Sequence, residues 1–152
     1  SLVARQIVTA GGSVVVGEMD TVLQSRFADH LQLAKHTPTI PYGQAITQSG
    51  FHIMATSTAN WTETVSGLGA TGCNLLVGLS DKPMPGHPML PLLRVSATSS
   101  GADVVLTGAA GNAGVYLLDR IAATLARDYV PQAQRAAHHD FQITRGLLGI
   151  SL

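Results

Sequence analysis

The residues best suited to chemistry lie in a proline-rich loop, 80–91, which follows a short apolar run. Asp81, Lys82 and His87 bring a carboxylate, an ammonium and an imidazole into this one loop. A carboxylate beside a lysine or a histidine could abstract the proton next to a substrate carboxylate, or it could hold a metal ion. The structural alternative is a solvated surface loop that its prolines stiffen.

A second candidate is the glycine-rich segment 107–114, which contains Gly108 and Gly111 and stands between a predicted strand and a predicted helix. Such turns let the backbone approach a phosphate at a helix N-terminus. Too little chain follows for the rest of a dinucleotide-binding fold, and no strand ending in an acidic residue appears where a ribose would be held. A carboxylate-binding loop and a tight strand-to-helix turn remain open, with a nucleotide-binding oxidoreductase as a third possibility.

The remaining titratable residues carry no metal-binding motif. None of the six histidines has an HxH or HExxH partner, and the single cysteine, Cys73, has no CxxC partner. One cysteine excludes an intramolecular disulfide and favours a reducing compartment, so a cytoplasmic location is expected.

The elements that must position these residues alternate along the chain. Short apolar runs indicate strands, and longer stretches with helical spacing of apolar residues indicate helices. Residues 11–17 are predicted to form a turn followed by a short strand, and further strands are predicted over 51–55, 74–79, 92–96 and 102–107. The predicted helices cover 20–35, 58–71 and a stretch around Leu118, Ile121, Ala122, Leu125 and Tyr129. This alternation predicts an α/β fold of three layers, Rossmann-like, with a mainly parallel sheet and helices on both faces. Its carboxyl-end loops, after 79 and after 107, are the expected ligand sites.

Composition narrows the function class. The 152 residues are 45% hydrophobic and only 12% charged, which favours burial against partner chains or another domain. Nine basic residues balance nine acidic ones without any cluster, so nucleic-acid binding is not expected. No apolar run reaches the length of a membrane span, and no signal peptide is visible. The size predicts a single domain over residues 1–152.

The order of features resembles the C-terminal domain of the galactarate and altronate dehydratase family. The matching segments are 10–18, 50–56, 67–72, 74–76, 91–95 and 139–143. Lys82 stands where the family has an arginine, and Arg94 stands where it has a lysine. The family's acidic segment near the end of the domain is reduced here to Asp103 and the glycine-rich run.

The resemblance implies part of a hydro-lyase that dehydrates a sugar acid to a 2-keto-3-deoxy acid. Such chemistry needs a base for the proton α to the carboxylate and a cation for the enolate. On this reading Asp81 and His87 are the acid/base candidates, and Lys82 and Arg94 hold the substrate carboxylate. The backbone amides around Gly108 and Gly111 would form an anion nest.

The resemblance also implies a divalent metal, namely iron, manganese or calcium, for which this chain shows no complete ligand set. The expected partners are a small sugar acid, upstream domains of the same enzyme that supply the metal ligands, and further copies in a homo-oligomer. The alternative function is a non-catalytic binding or assembly domain of the same fold.

Overall fold

The computed structural model describes residues 1–24, 27, 37, 39–98, 101–106, 110–140, 144–145 and 150–151. It divides into two compact units, 1–73 together with 142–152, and 74–141. The described elements, in chain order, are α1 (Leu2–Thr9), β1 (Ser13–Gly17), a 3₁₀-helix (Thr21–Gln24), β2 (Thr39–Ile40), β3 (Gly50–Met54), α2 (Trp61–Ala70), β4 (Leu76–Leu79), β5 (Leu92–Ser96), β6 (Val104–Val105), α3 (Ala110–Leu125), α4 (Gln132–Arg135), β7 (Thr144–Arg145) and β8 (Ile150–Ser151).

The first unit is built on a parallel sheet with the strand order β1-β3-β2. Val16 pairs with Ile53 in β3, and Thr39 of β2 pairs with the same residue from the other side. Met54, the last residue of the central strand, is fully buried. β7 and β8 pair with each other as an antiparallel hairpin.

Helix α2 begins with a side-chain cap from Asn60. The Asn60 side chain accepts a hydrogen bond from the Glu63 N–H at 3.1 Å, which satisfies one of the free donors of the first turn. The absence of a side chain at Gly67 lets the Tyr42 ring lie directly on the helix, where its hydroxyl donates to the Glu63 carbonyl at 2.6 Å.

The second unit has a parallel sheet with the order β4-β5-β6. The central strand, β5, is buried along its whole length. β4 instead alternates, with Leu76 and Gly78 buried while Val77 and Leu79 are 42% and 61% exposed. The expectation that β4 is covered on both faces was therefore wrong, because its apolar run contains one outward-facing set of side chains.

Helix α3 ends in a turn that reverses the chain. The Asp128 N–H donates to the Ala123 carbonyl at 2.8 Å, and the Arg127 N–H donates to the Thr124 carbonyl at 3.1 Å. With Arg127 at φ 66°, these two bonds form a Schellman motif. The predicted apolar stripe of α3 was wrong at its C-terminal end: Leu125 is 52% exposed, and Tyr129 lies beyond the last helical residue.

The predicted α/β class with parallel strands is confirmed. Six of the eight described strands form two three-stranded parallel sheets. Local apolar runs do not specify this division. Asp20 precedes the 3₁₀-helix and caps it, since its carboxylate accepts from the Val22 N–H at 2.8 Å. Most of the helix predicted over 20–35 lies outside the described residues, and the prediction of a single domain stays a prediction. Within the described ranges, none of the helices combines the length and hydropathy needed to cross a membrane.

Candidate functional site

Asp81 follows β4, and its exposed carboxylate holds the turn that follows β5. Its Oδ1 accepts from the Ser96 hydroxyl at 2.5 Å and from the Ala97 N–H at 3.2 Å. The hydroxyls of Ser96 and then Thr98 are the largest causes that hold the pKa of Asp81 below its ordinary value. An anion stabilised in this way is a weak base at neutral pH.

Lys82 lies at the surface beside Asp81. Its N–H donates to the Ser80 hydroxyl at 3.1 Å, and that hydroxyl donates to the Lys82 carbonyl at 3.0 Å. These bonds fix the backbone of the loop, while the exposed ammonium makes no hydrogen bond or ion pair with the described residues. A role for Lys82 in holding a carboxylate stays a prediction.

Arg94 is buried in the central strand of the second sheet. Its guanidinium donates to the Ser80 carbonyl at 3.5 Å and, over a short distance, to the Gly101 carbonyl. Backbone oxygens from two loops thus surround the group that was predicted to bind a substrate carboxylate. This arrangement favours a structural role.

His87 is also buried, with 5% of its surface exposed. Its Nδ1 lies 3.1 Å from the Met89 N–H, which can only donate, so Nδ1 accepts and carries no proton. Burial, followed by the nearby charge of His139, lowers the pKa of His87. The neighbouring Gly86 is bonded to the segment 138–140 at both its N–H and its carbonyl, at 2.8 Å and 3.0 Å.

The glycine-rich candidate is only partly within the described structure. Gly108 lies outside the described residues. Gly111 is the second residue of α3, so it belongs to the first helical turn. The anion nest proposed for these glycines stays a prediction.

A cleft of about 570 Å³ lies elsewhere in the second unit, between the segment that carries β6 and helix α3. It is lined by Ala102, Asp103, Val105, Asn112, Ala113, Tyr116, Arg120 and Tyr129. Asn112, Tyr116 and Arg120 are spaced four residues apart on α3, so they share one helix face.

Arg120 is the central cation of this cleft. Its guanidinium carbon lies 4.0 Å from the centroid of the Tyr129 ring and 5.4 Å from that of Tyr116. Its Nη2 donates to the Tyr116 hydroxyl oxygen at 2.7 Å. An arginine stacked on a ring keeps the N–H groups at its edge available for a planar anion.

A buried carboxylate, Asp103, holds the tyrosine on which Arg120 is stacked. Asp103, 5% exposed, accepts from the Tyr129 hydroxyl at 2.7 Å and from the Gln132 N–H at 2.8 Å through one oxygen. Its other oxygen accepts from the Arg94 N–H at 2.8 Å. Burial and then the bond to Asp103 raise the pKa of Tyr129, so the phenol keeps its proton. Arg135, which lies 5.3 Å from the centroid of the same ring, adds a second positive charge near the cleft.

The sequence prediction does not include Asn112, Tyr116 or Arg120, because it uses only the apolar positions of the helix. Their four-residue spacing was visible, and a polar stripe with an arginine and a tyrosine would have marked this face. The pairing of Tyr129 with Asp103 spans distant positions, and no local pattern indicates it.

The described residues around the cleft do not form a ligand set for a divalent metal. Within the part of the chain that the structure describes, no three His, Cys, Asp or Glu side chains are grouped as a metal site would require. Asp103 is the carboxylate of the cleft, but both of its oxygens already accept from N–H or O–H donors. Metal ligands usually need unoccupied lone pairs in a suitable geometry.

Comparison of the chain with protein-family models, with curated proteins and with solved structures finds no match.

Proposed function

We propose that this chain holds the substrate carboxylate in a sugar-acid hydro-lyase and leaves the acid/base chemistry to other parts of the enzyme. The observation that carries the proposal is Arg120, which is stacked on Tyr129 in an open cleft. The resemblance to galactarate and altronate dehydratases supplies the class of ligand. Upstream domains of the enzyme would provide the iron, manganese or calcium and its ligands.

The guanidinium geometry suits a carboxylate. Arginine has five N–H donors in a plane, and two of them can bond both oxygens of one carboxylate. Tyr116 Oη accepts from one N–H of Arg120, and no other acceptor for this guanidinium occurs among the described residues. The Tyr129 ring covers one face of the group, so a ligand would approach along the edge.

The loop that was predicted to be catalytic supports this division of labour. Abstraction of the proton α to a carboxylate needs a base whose pKa lies near the working pH. The hydroxyls around Asp81 lower its pKa, and Arg94 already binds two backbone carbonyls. These groups serve the loop structure, which favours binding over catalysis in this chain.

An assembly role is the second candidate, and one observation favours it. Val77 and Leu79 expose apolar side chains on the same face of β4. Such side chains are suited to burial against an upstream domain or a second copy of the chain. A cytoplasmic location belongs to the same proposal, since Cys73 is a free thiol that hydrogen-bonds to the Leu68 carbonyl at 2.7 Å.

Calorimetric titration of the purified chain with galactarate and altronate tests the binding function. We expect Arg120→Met to lower the affinity about ten- to a hundredfold, because a hydrogen bond to a charged group contributes roughly 1.5–3 kcal/mol. Arg5→Met, which removes an exposed arginine from α1, is the matched control and should leave binding unchanged. Equal affinities for wild type and Arg120→Met would refute the proposal.

A further inference from the structure

We infer that strand β4 is an association edge, along which two copies of this chain pair antiparallel about a two-fold axis at Gly78. The inference is independent of the carboxylate site, and it gives the assembly role a partner and a geometry. The partner is a second copy of the chain, and the pairing joins two three-stranded sheets into one continuous sheet.

The backbone of β4 is paired on one side only. The strand stands at the end of the order β4-β5-β6. The N–H groups of Leu76 and Ser80 each donate, at 2.9 Å, to a carbonyl of the segment that carries β5. Because the backbone groups of successive residues point to opposite sides of a strand, those of Val77 and Leu79 point away from β5. Among the described residues, these outward N–H and C=O groups have no partner.

Nothing in β4 itself blocks a neighbouring strand. Natural edge strands are protected from pairing by charged side chains, by proline or by a bulge. The residues of β4 are Leu-Val-Gly-Leu, without a charge or a proline, and their register with β5 runs from Leu76 to Leu79 without a bulge. The side chains that alternate with the buried ones, Val77 and Leu79, are exposed. The edge is therefore open in both its backbone and its apolar side chains.

A second copy of β4 is complementary to this edge. When Gly78 of one copy lies opposite Gly78 of the other, Val77 of each copy lies opposite Leu79 of the other. Both residues have outward N–H and C=O groups, so each such pair exchanges two hydrogen bonds, and the two-fold axis generates the second pair. The side chains of each pair lie on the same face and cover one another. Gly78 adds no side chain at the axis.

The charges beside β4 favour the antiparallel arrangement. Asp81 and Lys82 follow the strand at one end, whereas the uncharged Asn74 precedes it at the other. Antiparallel pairing brings Lys82 of one copy near Asn74 of the other and keeps the two lysines at opposite ends. Parallel pairing would place the two copies of Lys82 side by side, and like charges opposite each other are destabilising. The formal charge of zero on the whole chain adds no repulsion between copies.

Sedimentation velocity and amide hydrogen exchange on the wild-type chain test the inference. We expect the mass to rise from one chain to two as the concentration increases. In the dimer the amides of Val77 and Leu79 should exchange about tenfold more slowly than in the dilute monomer, because they gain acceptors. The amides of Leu76 and Ser80, which are already bonded, are the internal reference and should change less. A chain that stays monomeric, or a dimer in which the Val77 and Leu79 amides exchange no more slowly, would overturn the inference.

Two variants separate edge pairing from contact through the exposed face. Leu79→Lys adds a charge to the edge, and Val77→Pro removes an outward N–H while keeping the bonds to β5. Each should weaken self-association about tenfold or more. Val115→Lys, at a position on α3 that is 54% exposed, is the control and should remain dimeric.

Circular dichroism checks that each variant is folded, and if Val77→Pro does not fold, the wild-type exchange data decide. A dimer that survives Leu79→Lys forms at another surface, which overturns the inference. A dimer that survives Val77→Pro but is lost in Leu79→Lys joins through the side-chain face, which overturns edge pairing. Carboxylate binding at Arg120 is measured separately by calorimetry, so the failure of either proposal is distinguishable from the failure of the other.

Discussion

The loop region around Asp81 and Arg94 and the cleft around Asp103 and Arg120 contain the same pair of residue types, yet they use them differently. In the loop region the carboxylate is exposed and the guanidinium is buried against backbone carbonyls. In the cleft the carboxylate is buried and the guanidinium lies over a tyrosine ring. A charged residue becomes available to a ligand only where the backbone does not already satisfy it.

The position in the fold explains this difference. Arg94 belongs to a central strand with a neighbouring strand on each side, so its side chain ends among the loops that join those strands. Arg120 belongs to a helix, whose own carbonyls are engaged within the helix and cannot compete for the guanidinium. Side chains on such a face find partners among other side chains or in a ligand.

Stability measurements on the two arginines test the comparison most strongly. We expect Arg94→Met to lower the free energy of unfolding by about 2–4 kcal/mol, because the carbonyls of Ser80 and Gly101 both lose a charged donor. Arg120→Met should cost less than about 1 kcal/mol, since a partly exposed cation–π contact contributes little. Urea denaturation followed by far-UV circular dichroism gives both values. Similar losses in the two variants would show that the two arginines do not differ in their structural role.

The turn that carries Tyr129 into the cleft offers a stabilising change. Arg127 adopts the left-handed conformation, which costs a residue with a side chain roughly 1 kcal/mol and costs glycine almost nothing. Arg127→Gly should therefore raise the free energy of unfolding by about 0.5–1 kcal/mol. Ala126→Gly, one position earlier and without a positive φ, should instead lower it by about 0.5–1 kcal/mol. The same sign for both variants would show that the turn conformation is not the cause.

The buried His87 should make the stability of the chain depend on pH. Burial lowers the pKa of His87 below its ordinary 6.5, so the unfolded chain takes up the proton first as the pH falls. Stability should decline from about pH 6.5 downward until the folded-state pKa is passed. His87→Asn, whose side-chain oxygen can accept from the Met89 N–H, should show a shallower decline between pH 7 and pH 5. Parallel stability curves for the two proteins would exclude His87 as a source of the decline.

Asp81 should give the smallest effect, because its carboxylate is exposed. Its pKa in the folded chain lies below the ordinary 3.8, so its contribution is present above that pH and is lost as the pH falls through the folded-state value. Asp81→Asn removes this contribution, so the variant should be slightly less stable near pH 7 and should lose less stability than the wild type below about pH 4. An acid titration followed by circular dichroism measures the loss of stability. An identical loss in Asp81→Asn and the wild type below pH 4 would argue against the hydroxyl contacts of Ser96 and Thr98.

The fold class predicted from the sequence is confirmed, whereas the roles predicted for the site residues stay predictions. β4 and β5 are found where apolar runs predicted them, because a buried strand requires such a run. The division of the strands into two sheets depends on contacts between distant segments, which no local pattern contains. The functional prediction was based on the charged residues of the loop 80–91 and on Arg94 in the next strand. Residue type alone does not show that the Arg94 guanidinium already donates to two backbone carbonyls. The four-residue spacing of Tyr116 and Arg120 could be read from the sequence. The hydrogen bond from the Tyr129 hydroxyl to Asp103 could not.

The Schellman turn at Arg127 also has a consequence for how the cleft forms. By reversing the chain just after α3, it places Tyr129 against Arg120 only a few residues earlier in the sequence. Closing so short a loop costs little conformational entropy, so we expect the stacked pair to form early, together with the helix itself. Arg120 and Tyr129 would then come together through local folding, before the slower pairing of the strands.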